Sequence, residues 1–284
     1  MYLCMYYFIV NAAAGKGKVI PLMNRLRQYL QQKEILGELV KTTAKGDATH
    51  LTRIAIKKGY STIIAIGGDG TVHEVLNGLA GTGATLGIIP MGKNNFLARS
   101  LRIPFSWKDA VDTIAARRTM KLDVGKVLEH KNYFLLNVEI GMLPRKKIVR
   151  KPFASFFTKN ILSHLFRQSP FKVECVLDRT YRLTAKACSI SIANVGFSYE
   201  ELDHLSVEPQ DMLLDMVMIS PDNTSKNPFG MREDIVHNIS HVRGREVYIE
   251  PLHKQDVYAD GRLIGKTPIT VQIAPAPQRV IVGN

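Results

Sequence analysis

Gly67-Gly68-Asp69-Gly70-Thr71 follows the apolar run Ser61-Thr62-Ile63-Ile64-Ala65-Ile66 and leads into Val72-His73-Glu74-Val75-Leu76-Asn77-Gly78-Leu79. The order is a buried strand, a glycine turn carrying one carboxylate, and a helix start. Glycines let the backbone turn and approach a ligand without Cβ atoms, and the free N–H groups of a helix start favour an anion. The stretch therefore reads as a phosphate site. Asp69 adds chemistry to it. A carboxylate aimed at phosphates repels them unless a cation lies between, which points to Mg²⁺-assisted phosphoryl transfer or to a base for an attacking hydroxyl. The plainer reading is a sharp strand-to-helix turn with Asp69 as its cap.

The neighbouring chain repeats this grammar. Residues 1–10 read as a strand, followed by the small-residue loop Asn11-Ala12-Ala13-Ala14-Gly15-Lys16-Gly17-Lys18 and a helix from Val19 to Glu34. Leu36 to Val40 reads as a second strand, Thr42-Thr43-Ala44-Lys45-Gly46-Asp47 as a loop before a helix through Lys58, and Thr85 to Pro90 as another strand. Strands alternating with helices at this spacing predict βαβ units and a parallel sheet. Ligands bind at the carboxyl ends of such strands, so the Asn11 loop, the Thr42 loop, the glycine turn and the loop after Pro90 are expected to meet at one site.

From about Leu122 the pattern changes to short runs rich in branched and aromatic residues: Tyr133 to Val138, Phe171 to Leu177, Ala187 to Ala193, Leu213 to Ile219, Glu246 to Ile249 and Ile269 to Ile273. These predict an antiparallel sandwich or barrel. The expected division is an α/β domain over residues 1–122 and a β-rich domain over 123–284. Residues 148–168 carry Phe153, Phe156, Phe157, Ile161, Leu162, Leu165 and Phe166 at helical spacing, with Lys151, Lys159 and Arg167 between them. The stripe reads either as core cover, which its spacing favours, or as an apolar lip for a membrane.

With 284 residues, a formal charge of +13 and a pI near 9.6, the chain calls for an anionic partner: nucleic acid, a phosphorylated ligand or an acidic membrane surface. The densest basic clusters, Arg145-Lys146-Lys147 and Arg150-Lys151, do not make a long run, which argues against a nucleic-acid tail. Cys4, Cys175 and Cys188 are too few and too widely spaced for a disulfide scaffold or a zinc site, as expected in a reducing cytoplasm. His237 and His241 stand four apart without an acidic motif beside them. Met1 to Val10 lacks a basic leader and a cleavage site and is shorter than the roughly 20 apolar residues needed to span a bilayer. Gly87-Ile88-Ile89-Pro90-Met91-Gly92-Lys93-Asn94 nearly spells a nucleotide P-loop, but Asn94 offers no hydroxyl for Mg²⁺ and Ile88-Ile89 read as strand.

The run from Gly67 to Leu79 closely resembles the diacylglycerol kinase catalytic-domain family, which includes bacterial diacylglycerol kinases, related bacterial lipid kinases and sphingosine kinases. Asn11 to Lys18, Thr42 with Gly46-Asp47-Ala48, and Gly92 to Arg99 resemble its nucleotide loops. Asn137, Gly141, Asn194, Gly196 and Asp260-Gly261 fall at its second-domain landmarks. NAD kinases share the glycine turn, but Glu74-Val75-Leu76-Asn77-Gly78 resembles the lipid-kinase version.

The resemblance implies an α/β nucleotide-binding domain and a β-rich domain, with ATP and Mg²⁺ in the cleft and a lipid alcohol as acceptor. The expected setting is the cytoplasm, in peripheral contact with an anionic membrane at its inner face. Asn11, Thr42, Gly67, Gly68, Asp69, Gly70, Thr71 and His73 would line the nucleotide site, with Lys93 serving a phosphate. Asp69 would organise Mg²⁺, and Asp69 and Asp260 are the candidate catalytic carboxylates. A structural metal is implied near Glu208, Asp211 and Leu213, with Met212 where the family has glycine. A homodimer would pair an exposed strand across a two-fold axis.

Three departures stand out. Arg262 replaces the acidic residue that follows the Asp-Gly pair and is proposed as the family's base, Phe96 replaces an aspartate, and Ala12 replaces a proline. Arginine cannot accept a proton. On these residues Arg262→Glu is expected to raise lipid phosphorylation and Asp260→Asn to lower it. The second reading is a non-catalytic nucleotide- or lipid-binding module with the kinase fold.

Overall fold

The structure is a computed structural model that describes residues 6–17, 19–141, 170–197, 205–221 and 239–283. The aromatic stretch at 148–168, the basic clusters at 145–151, Cys4, Lys18 and His237 lie outside the described residues.

The first domain is a covered, mostly parallel sheet. Strands β1 (Tyr6–Asn11), β2 (Gly37–Thr42), β3 (Thr62–Gly67) and β4 (Thr85–Pro90) alternate with helices α1 (Val19–Gln32), α2 (Asp47–Lys57) and α3 (Asp69–Leu79). The short α4 (Phe96–Ser100), α5 (Trp107–Ala116) and β5 (Thr119–Leu122) follow. Every residue of β3 and β4 is buried, as required of central parallel strands with helices on both faces. Helix α1 buries Val19, Met23, Leu26 and Leu30, one stripe at helical spacing. Gly87 to Pro90 lie inside β4, so the near-match to a P-loop is strand, as its Ile-Ile pair predicts.

Beyond β5 the chain forms β6 (Gly125–Val127), β7 (Asn132–Phe134), β8 (Asn137–Ile140), β9 (Phe171–Leu177), β10 (Tyr181–Ala187), β11 (Ser189–Ala193) and β12 (Leu214–Ile219). It continues with β13 (Ile239–Gly244), β14 (Glu246–Pro251), β15 (Asp256–Ala259), β16 (Arg262–Lys266), β17 (Ile269–Ile273) and β18 (Gln278–Ile281). Two antiparallel sheets, in orders β10-β9-β14-β17-β6-β7 and β13-β12-β11-β8-β15-β16, pack face to face. Their shared core includes Phe134, Val138, Ile140, Ile192, Val247, Ile249 and Val271. This is the expected sandwich.

Two features depart from the sequence reading. Tyr133 to Val138 is not one strand: the chain leaves one sheet at Phe134 and enters the other at Asn137, because the N–H groups of Leu135 and Leu136 turn to the Asp260 carboxylate instead of a neighbouring strand. The last strand also does not stay with the second domain. The first sheet runs β2-β1-β3-β4-β18-β5, with β18 parallel to β4 and antiparallel to β5. The division at 122/123 therefore leaves out a C-terminal strand that completes the first domain. Val280 is fully buried there, and the Gln278 amide donates to the Ala84 carbonyl at 2.6 Å.

Chain termini usually tolerate removal, but a strand inserted between two others does not. Deleting residues 275–284 is expected to abolish cooperative unfolding of the first domain, followed by circular dichroism in denaturant. A truncated chain with an unchanged midpoint would show that β18 is not an integral strand.

Candidate functional site

The loops at the carboxyl ends of the parallel strands meet, as the βαβ reading requires. Helix α3 starts at Asp69, one turn closer to the strand than the apolar pattern alone suggests, and the Thr71 and Val72 amides both donate to the Gly68 carbonyl. A Cβ on Gly68 would lie 2.9 Å from the Gly92 Cα, and one on Gly92 would lie 2.4 Å from the Gly68 Cα. The loops after β3 and β4 thus touch backbone to backbone, a contact that admits no side chain at either position. Asn95, at φ 51°, holds its loop by accepting from the Gly92 amide at 2.9 Å and donating to the Gly92 carbonyl at 3.1 Å. Asn11 donates to the Thr71 hydroxyl at 2.9 Å and accepts from the Ala13 amide at 3.0 Å. The loop after β2 closes on Asp47, whose carboxylate accepts from the Thr43 hydroxyl and from the Thr43 and Ala44 amides at 2.6–2.7 Å. Those bonds, led by the Thr43 hydroxyl, hold the Asp47 carboxyl below its ordinary value.

Together the loops line a cleft of about 540 Å³. Of the residues expected to line it, Asn11, Thr42, Gly68, Gly70 and Thr71 do. Gly67 lies just behind, where a Cβ would sit 2.4 Å from the Thr71 hydroxyl oxygen. Asp69 stands between two lining glycines, with Oδ1 accepting from the Leu97 amide at 3.3 Å at the start of α4. Lys93 is exposed on the bend before α4 and is not on the cleft wall.

His73 and Asp260 have a different place from the one expected. His73 is buried and faces a second cavity of about 300 Å³, and its Nδ1 donates to Asp260 Oδ2 at 3.1 Å. Asp260 is 7% exposed and also accepts from the amides of Leu135, Leu136 and Asn137 at 3.3, 2.8 and 3.4 Å. A carboxylate with both oxygens engaged by donors in the wall between the domains has no free lone pair directed at a substrate hydroxyl. The structure places Asp260 as a clamp between the domains and not as a carboxylate open to the cleft.

The apolar-looking helix after the glycine turn is gripped by the second domain along one face. Asn77 donates to the carbonyls of His73 and Tyr133 and accepts from the Tyr133 amide, all at 2.9 Å, so one side chain mimics a strand neighbour for β7. Arg262, the residue in the expected acidic position, donates from Nη1 to the Gly70 carbonyl at 3.0 Å and pairs with Glu74. Glu74 Oε2 accepts from the Ala48 amide in the first turn of α2 at 3.2 Å. Glu74 and Arg262 line both cavities, and neither was singled out as lining from the sequence. Restoring an acid at Arg262 would set two carboxylates against each other, so the expected gain from Arg262→Glu is withdrawn.

The implied structural metal does not fit the residues present. Asp211 is paired with the Arg243 guanidinium and accepts from the Leu213 amide at 2.9 Å, while Glu208 is exposed. Arg243 also reaches Asp215 at 3.0 Å, and Asp215 takes His241 at 2.7 Å. Burial works against the Arg243 charge, yet Asp215 and Asp211 together hold it above its ordinary value. Among the described residues no group of three or more histidine, cysteine or acidic side chains is placed to hold a metal ion. Met212 adopts φ 61° and its amide donates to Asp123 at 2.7 Å, so the residue in the glycine position keeps a left-handed backbone.

Comparison with known proteins agrees with the fold. Residues 5–127 match the profile of the diacylglycerol kinase catalytic domain. The chain is 43% identical over 102 residues to a diacylglycerol kinase of Staphylococcus haemolyticus, a match covering 35% of this chain and 30% of the relative's length. It is 28% identical over 293 residues to a diacylglycerol kinase of Mycobacterium tuberculosis (strain H37Rv), covering 96% of this chain and 93% of the other. A crystal structure of a diacylglycerol kinase from Bacillus anthracis superposes with a TM-score of 0.75 at 23% identity, covering all of this chain and 98% of that one.

The clamp carries a measurable energy. Asp260→Ala leaves three amides and a histidine without their acceptor and is expected to cost at least about 3 kcal/mol of stability, since bonds to a charged group are worth about 1.5–3 kcal/mol each. In a double-mutant cycle with His73→Ala, read by denaturant unfolding without nucleotide, the two changes should couple by about 1 kcal/mol or more. Strict additivity would separate the two residues.

Proposed function

We propose that this chain, whose first domain belongs to the diacylglycerol kinase catalytic-domain family, transfers the γ-phosphoryl group of ATP to the hydroxyl of diacylglycerol or a similar lipid alcohol. The observation that carries the reading is the cleft of glycine-walled loops at the carboxyl ends of β1 to β4, with the first turn of α3 opening into it. Peptide N–H groups at such a helix start, with no Cβ between them and a ligand, suit a polyphosphate. The backbone contact of Gly68 with Gly92 fixes two phosphate-facing loops relative to each other, which serves the positioning on which phosphoryl transfer depends.

Mg²⁺ bound with a nucleotide takes one or two carboxylates and completes its shell with phosphate oxygens and water, so Asp69 alone, between Gly68 and Gly70, meets that need. Bound there, the ion would neutralise phosphate charge. The chain itself supplies Thr71 and Asn11 on one wall, the Thr42–Lys45 loop on the other, and Arg262 across the cleft from the second domain. The acceptor alcohol would approach beside β16, where Leu263 and Ile264 line the second cavity. No helix among the described residues is long and apolar enough to cross a membrane. Peripheral contact with an anionic surface is supported by the charge of +13.

Asp69→Asn is expected to reduce lipid phosphorylation in mixed micelles by at least about 100-fold, the scale of a lost charge-stabilising group, while leaving the thermal midpoint nearly unchanged. Wild-type turnover in this variant would remove Asp69 from the chemistry. Nucleotide binding with no transfer by the wild-type chain to any of a panel of lipid alcohols would favour the binding-module reading that Arg262 and Phe96 raise.

A further inference from the structure

Phosphoryl transfer brings the acceptor oxygen in line with the γ-phosphorus, so the reacting atoms meet where the two cavities adjoin. The first is walled by the glycine loops, and the second by Gly46, Thr49, His73, Asn77, Asn132, Leu263 and Ile264. Glu74 and Arg262 belong to both, and their ion pair is the partition between them. The other carboxylates near the cleft have roles of their own: Asp260 is engaged by its three amides and His73, Asp47 by the loop after β2, and Asp69, whose Oδ1 accepts from the Leu97 amide, is the carboxylate proposed above for Mg²⁺. Among the described residues, Glu74 is the acidic side chain on the wall of either cavity.

The partner of Glu74 is equally placed. Among the described residues, Lys45 and Arg262 are the cationic side chains on the wall of the nucleotide cleft, Lys93 being exposed. The Arg262 arm lies over Gly70, where a Cβ would be 3.8 Å from its Cδ, and its guanidinium rests on the first turn of α3. An anion held by the free amides of this helix start would lie on the same turn as the guanidinium. A phosphoryl group there competes with Glu74 for the guanidinium, and Arg262 needs only side-chain rotation to exchange one for the other.

Resting on the kinase reading, we propose that Glu74 is the proton acceptor for the lipid hydroxyl and that Arg262 binds the transferred phosphoryl group, the two being paired with each other until nucleotide enters. As the alcohol oxygen bonds to the γ-phosphorus, the bond from that phosphorus to the β–γ bridging oxygen breaks. Its electron pair leaves with ADP, and the hydroxyl proton passes to a Glu74 carboxylate oxygen. Arg262 meets the charge on the oxygens in flight. The acid that the family resemblance places after the Asp-Gly pair is thus supplied from α3, and the arginine in its place takes a phosphate role.

The test uses the full chain with Mg²⁺, ATP or ADP, and diacylglycerol micelles. Glu74→Gln should lower kcat by about 100-fold or more while ATP binds at least as tightly as to wild type. Arg262→Met should weaken ATP but not ADP, reducing the preference for ATP by about 10-fold or more. If Glu74→Gln lowers the thermal midpoint, the double variant Glu74→Gln with Arg262→Gln leaves no unpaired charge behind, and the same loss of kcat is expected of it. A kcat within about 3-fold of wild type in either Gln variant, an unchanged ATP preference in Arg262→Met, or a gain in transfer from Arg262→Glu would overturn the inference and leave the kinase function standing. A wild-type chain that binds Mg-ATP and phosphorylates no lipid alcohol overturns the function and the role of Glu74 with it.

Discussion

The Asp260 carboxylate lies in the wall between the two domains, and a charge in that position is tolerable only if each lone pair finds a donor. It finds them on two sides: the amides of Leu135, Leu136 and Asn137 from the second domain and the ring of His73 from α3. The hairpin that delivers it is a two-residue turn, Asp260 at φ 47° and Gly261 at φ 76°, with Ala259 opposite Arg262. Two left-handed residues in that order match the twist of the flanking strands. Because the turn is tight, fixing Asp260 also fixes where Arg262 emerges. The placement of a cation over Gly70 is therefore a consequence of a clamp two residues away.

This coupling explains why α3 carries His73, Glu74 and Asn77 on one face. The glycine turn sets where the helix begins, and the three side chains set how it sits against the second domain. His73 engages the hairpin tip, Glu74 engages Arg262, and Asn77 completes the edge of β7. Under the proposed function this helix start presents amides to a phosphate, and it is held at its sheet end by Gly68 against Gly92 and along its flank by polar bonds to the other domain. Removing one member of such a network exposes the others to desolvation without a partner, so its members act together.

Much of the first domain was legible because its signals are local. Apolar runs alternate with helical stripes, and the glycine turn between β3 and α3 needs no distant partner to be recognised. The return of Gln278–Ile281 to the first sheet was not legible, since four residues carry no mark of which sheet they join. The partners of Arg262 and Asp260 lie 188 and 187 residues away along the chain, beyond any spacing rule. One signal was available: Asp260-Gly261 between Val257, Ala259 and Leu263 is the residue pair favoured in a two-residue hairpin turn, which argues for a structural aspartate over a free one. The sequence also could not reveal that Arg243, 32 residues from Asp211, occupies the carboxylate expected to hold a metal.

Two of the places where this chain differs from what the resemblance implies have one physical form. At Asp211 a guanidinium stands where a cation was implied, and at position 262 a guanidinium stands where an acid was implied, in each case matched to carboxylates already present. A site losing its function has no reason to keep a largely buried ion pair, because apolar side chains of similar volume usually cost no more and often cost less. At Asp211 the pair has a structural return, since it ties β12 and β13 to the loop before them. At Arg262 the pair helps to seat α3, between Asp260 and Asn77, which hold the domains together on either side. What the Arg262–Glu74 pair adds is a cation and a carboxylate side by side at the junction of two cavities, exchangeable for a phosphate and a hydroxyl. That arrangement is accounted for by ligands more readily than by stability.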